Sequence, residues 1–137
     1  MTTKNLKVGD VFQIPLPEGR SAYDRVYKDA TVGVYRHVTG EPGKPPIGSR
    51  DFGFHVGLYK DILENGKWPI VGFDGFDESE SEWPPPNFVK DVISGDYQIY
   101  HKGGFRDAEP WEVVGLEEAA VWDAHHVLER IMKEIES

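Results

Sequence analysis

Glycine and proline punctuate this chain so densely that it can hold only short elements, with one exception. The 137 residues include 15 glycines and 10 prolines, yet none of either falls after Gly115. Turn-formers at that density predict many strands and loops, and a single uninterrupted run predicts a single substantial helix. The run "LEEAAVWDAHHVLERIMKEI" carries Leu116, Ala120, Ala124, Val127, Leu128, Ile131 and Ile135 on one stripe at helical period, with Glu117 and Glu118 at its N-terminal end. A helix over this whole stretch, packed on something apolar, is the expectation.

Upstream, the pattern is that of strands. Phe12, Ile14 and Leu16 alternate with Val11 and Gln13, which predicts one buried face, and Pro15 predicts an edge or a bulge. The β-branched and aromatic content of residues 20 to 38 predicts two strands joined through Lys28 to Thr31, and "FGFHVGLY" (52 to 59) a further one. "KDILENGKWPIVGF" predicts a helical turn, in preference to a hairpin through Asn65-Gly66, before a strand over 68 to 73. "FVKDVI" and "YQIYH" predict two more strands around "SGD", while "TGEPGKPPIGSRD" and "HKGGFRDAEP" read as loops. The expected fold is α+β and mostly β: a strongly curved antiparallel sheet or partial barrel, with one C-terminal helix packed on it, in a single domain spanning residues 1–137.

Composition excludes more than it assigns. The absence of cysteine removes disulfides, thiolate nucleophiles and cysteine-ligated zinc. The N-terminus "MTTKNLKVGD" has no apolar leader pattern, and no stretch approaches a membrane span, so a cytoplasmic protein with no membrane partner is expected. A net charge of −9 argues against nucleic acid as a partner. That charge is uneven: residues 20 to 60 hold seven basic and four acidic side chains, whereas residues 61 to 137 hold six basic and eighteen acidic ones.

The densest acidity is in "FDGFDESESEWPPPNF", where five carboxylates occupy positions 74 to 82 and no lysine or arginine intervenes between Lys67 and Lys90. Its spacing does not match a calcium loop. An unneutralised acidic loop ending in Trp83 has the composition of a charged-rim interface, which makes Asp74, Asp77, Glu78, Glu80, Glu82 and Trp83 candidate partner-binding residues. On a helical wheel Trp122 falls off the apolar stripe with His126 beside it, a second candidate surface. No nucleophile elbow, metalloprotease helix or phosphate loop occurs, and "DFG" at 51 to 53 lacks its kinase companions. His125 and His126, adjacent on one helix, diverge by about 100° and are not expected to share a metal ion; no catalytic residue, metal site or cofactor is assigned.

"KVGDVFQIPLPEGR", "GKWPIVG", "PPPNFVKD" and "YQIYHKGG…VVGLEEAAVWDAHHVLERI" together resemble the immunity protein 26 family of bacterial polymorphic-toxin systems. The resemblance implies a small, mostly β protein that silences a cognate protein toxin by occluding it. It carries over no site residues. A nuclease-type toxin would be basic, and complementary charge would speed the encounter. The family name is also shared with a phosphotriesterase, so a metal-assisted esterase is the alternative, and a small protein-interaction or regulatory domain a further one.

Overall fold

A computed structural model describes residues 6–135 of the chain except Pro42 and Gly66. The first five residues and the Gly66 half of the Asn65-Gly66 hairpin reading therefore lie outside the described residues. Among the described residues ten strands form: β1 (Asp10–Pro15), β2 (Ser21–Val26), β3 (Thr31–Thr39), β4 (Phe52–Leu58), β5 (Ile70–Phe73), β6 (Asn87–Lys90), β7 (Tyr97–His101), β8 (Gly104–Ala108), β9 (Glu117–Glu118) and β10 (Val121–Trp122). Two α-helices accompany them there, α1 (Lys60–Glu64) and α2 (Ala124–Glu134). None of the described helices is long and apolar enough to cross a membrane.

The strands make two sheets, ordered β10-β4-β3-β2-β1-β5 and β8-β7-β6-β9. The strand-rich chain with a C-terminal helix matches the expectation; the single antiparallel sheet does not. Neither sheet closes on itself, so the strand order lends no support to a partial barrel, and the edge pairings β10·β4 and β6·β9 are parallel.

The larger sheet is buried on both faces. Phe12, Ile14, Val26, Val34, Phe54 and Val56 pack under Val127 and Ile131 of α2, with Leu63 and Trp68 at the margin. On the opposite face Val11, Tyr23 and Tyr35 form a second cluster, joined by Phe52 and Val71. The alternation in β1 predicted one buried face, but Val11 is as buried as Phe12. That face is covered by two segments, residues 43–50 and 74–80, that no local pattern announces.

Three further expectations change. Residues 116–123 are not helical: Glu117–Glu118 pair with β6, Val121–Trp122 pair with β4, and the Ala119 amide donates to the Phe88 carbonyl at 2.7 Å. Two sheet edges compete for these backbone groups and override helix propensity, so α2 starts only after Asp123. "HKGGFRDAEP" is not a loop but the turn and second strand of the β7–β8 hairpin, closed by Lys102 (φ 53°) and Gly103 (φ 81°), a left-handed pair that matches strand twist. β6 stops at Lys90 because the Asp91 carboxylate accepts from the Ile93 and Ser94 amides at 2.8 and 3.0 Å, folding a turn that leaves Val92 and Ile93 97% and 95% exposed.

Candidate functional site

The acidic segment is neutralised from within. Arg25 of β2 is fully buried, and its Nε and Nη2 donate to the Asp74 and Gly75 carbonyls at 2.8 and 2.7 Å. Its Nη1 reaches Glu80 at 3.2 Å, and Phe76 lies over its guanidinium at 3.5 Å. Arg50 grips both carboxylates as a fork, Glu80 at 2.7 and 3.0 Å and Asp74 at 3.0 and 3.2 Å. Asp74 is buried and also accepts from the Tyr35 hydroxyl at 2.5 Å and the Gly48 amide at 3.1 Å. Two arginines and two carboxylates thus balance.

Burial alone would raise the Asp74 carboxyl, but the Tyr35 hydroxyl, Arg50 and the Gly48 amide outweigh it and hold it below its ordinary value. Hydrogen bonds from Arg50, then Arg25, bring Glu80 down to about 2. Glu82 pairs with Lys28 at 3.7 Å, and Lys28 also lies 5.1 Å from the Trp83 ring centre. Asp77 accepts from the Ser79 amide and hydroxyl at 2.9 and 2.5 Å. Of the five acids, Asp77 and Glu78 are the pair that faces solvent without a cationic partner among the described residues. Both arginines come from the basic stretch 20 to 60, so the uneven charge along the chain was the signal of an internal match.

Trp83 is half-buried and borders a cleft between the two sheets, about 410 Å³ in volume. Tyr27, Phe52 and His55 line its inner side; His101 and Lys102, on the β7–β8 hairpin, stand at its mouth. The His55 Nε2 meets the Tyr27 hydroxyl at 3.2 Å, and burial brings its imidazole down to about 4, so it is neutral at physiological pH.

Trp122 is on β10 rather than on a helical wheel. It is half-buried against the main core, 6.5 Å from the His126 ring and 5.3 Å from the Arg130 guanidinium. His126 is exposed in the first turn of α2. Although adjacent on the helix, the His125 and His126 rings are 3.9 Å apart, and donor atoms of exposed Asp123, His125 and His126 lie within 4.8 Å of one another. Asp123 holds the N-cap position without making a side-chain cap.

Sequence reasoning missed the outer end of the smaller sheet. There Trp111 is 73% exposed, next to Pro110 at the edge of a recess of about 290 Å³ lined by Asp96, Tyr97, Asp107, Glu109 and Pro110 with no lysine or arginine, and Phe105, 62% exposed, lies against Tyr100 in the β7–β8 hairpin. These acids are scattered in sequence, and only the β7–β8 pairing and the turn at 110–113 bring them together.

A protein-family model described as Immunity protein 26 matches residues 7–99, more than half of the chain. Neither the curated proteins nor the solved structures gave a match. The matched span covers β1 to the middle of β7 and takes in the whole Arg25–Arg50–Asp74–Glu80 cluster.

Proposed function

From its place in the immunity protein 26 family, to which the chain belongs, we propose that it neutralises a cognate protein toxin by binding and covering it. The observation that carries this reading is Trp111, left in solvent immediately after Pro110 at the edge of the acidic recess of Asp96, Asp107 and Glu109. Large exposed aromatics are the usual anchors of protein interfaces. Three carboxylates and no lysine or arginine line this recess, so it can accept a lysine or arginine of the partner, as a basic toxin surface would supply. Asp77 and Glu78 add negative potential and speed the encounter, while Asp74 and Glu80 serve the fold.

The test uses the toxin domain that co-purifies with this chain. Trp111→Ala combined with Asp107→Asn should weaken the complex by roughly 30-fold or more and abolish protection of cells expressing the toxin. Asp77→Ser with Glu78→Gln should lower the association rate and leave dissociation unchanged. Wild-type affinity in the Trp111 and Asp107 double variant would reject this surface.

A further inference from the structure

We infer that the cleft between the two sheets is a binding site for a small organic anion, a flat ring carrying a phosphate or carboxylate. In a chain with 24 acidic side chains, no lining residue of this cleft bears a carboxylate. Its mouth carries Lys102 and His101, which have no ion-pair partner among the described residues, and Arg50 lines the same wall. The charge of Arg50 is already matched by Asp74 and Glu80, so Lys102 supplies the unmatched positive charge.

The walls suit a ring. Trp83 is held from one side by Lys28, and its edge comes within 3.8 Å of where a side chain at Gly103 would begin. Tyr27 is fixed by His55, with Phe52 edge-on at 6.2 Å. These aromatics are oriented before any ligand arrives, which lowers the entropic cost of binding. His55 is neutral and hydrogen-bonded to Tyr27, so it adds no positive charge and leaves that role to Lys102. A volume of about 410 Å³ falls within the range typical of small-molecule pockets. The net charge of −9 repels anions at long range, but physiological salt screens beyond about 8 Å, so the groups at the mouth decide. The inference does not depend on a toxin partner.

The experiment follows amide and indole NMR signals of the full chain during titration with phenyl phosphate, phenylacetate, inorganic phosphate and phenol. A ring-bearing anion should shift the Trp83 indole and Gly103 amide saturably, binding at least about tenfold tighter than inorganic phosphate or phenol. The phosphate and carboxylate arms distinguish which anion is preferred. Lys102→Asn is the informative variant: asparagine accepts the left-handed backbone of this turn, so the fold is kept while the charge is lost. It should weaken the preferred ligand roughly tenfold, and His101→Gln should weaken it less. Phenol binding as tightly as the anions, shifts that miss Trp83 and Gly103, or unchanged affinity in folded Lys102→Asn would overturn the inference.

Discussion

Asp24 and Arg25 are neighbours on β2, both fully buried, and they meet opposite fates. Arg25 points to the covering segment and finds four oxygen acceptors. Asp24 points into the core opposite Phe12 and Val34, where neither carboxylate oxygen has a well-formed hydrogen-bond partner among the described residues. Burial, only partly offset by the Phe12 backbone, pushes its carboxyl well above the ordinary 3.8. A raised carboxyl is stabilising relative to its ionised form only in acid: stability is fully present below the unfolded value and is lost as pH rises toward the folded one. Glu80 acts in the opposite sense, its contribution being lost as pH falls from 4.5 to about 2. Asp24→Asn should therefore raise the unfolding free energy at neutral pH, read from urea titration, by about 1–3 kcal/mol, with a gain that grows from about pH 4 upward. A gain independent of pH would show that Asp24 is not ionising at a cost. Neither fate was legible locally, because "YDRVY" gives alternate faces of a strand but not what covers them.

At the scale of elements, strands β1 to β7 followed from alternation and turn chemistry, and the second half of the helix from its stripe. The first half of the predicted helix failed because a local period cannot register an offer of hydrogen bonds from two distant strand edges. Arg130 is the side chain that ties these displaced pieces together. It pairs with Glu117 of β9 and Glu134 of α2, and its guanidinium lies 4.1 Å from the Phe54 ring centre and 5.3 Å from that of Trp122. Removing it would free β9 and leave Glu117 with its partner gone. Arg130→Ala should destabilise the protein by about 1–3 kcal/mol, and Arg130→Lys should recover only part of this, because an ammonium cannot both fork to Glu117 and stack on two rings. Equal midpoints for wild type and Arg130→Ala in thermal or urea unfolding would mean the pairs are solvated and inert.

Across the whole molecule the apolar core belongs to the larger sheet: both buried clusters are built on β1 to β4, α1 and α2, and the smaller sheet contributes to neither. Polar contacts tie it across, the Tyr100 hydroxyl to Asp29 and Arg130 to Glu117, while Ile99 is its one buried apolar side chain among the described residues. Local opening free energy follows apolar burial, so amides of β6 to β8 should exchange with deuterium far faster than those of β2 and β3. That gradient leaves the proposed toxin surface on the less stable part, where a partner can order what it covers. Adding the cognate toxin should slow exchange in β8 and residues 109–113 and leave residues 74–82 unchanged, since the arginine clamps already hold that segment. Protection of residues 74–82 with none in β8 would move the interface back to the acidic loop. The distinction turns on where each carboxylate's charge is spent: Asp74 and Glu80 satisfy arginines of their own chain, whereas the acids beside Trp111 belong to a recess with no lysine or arginine among its lining residues.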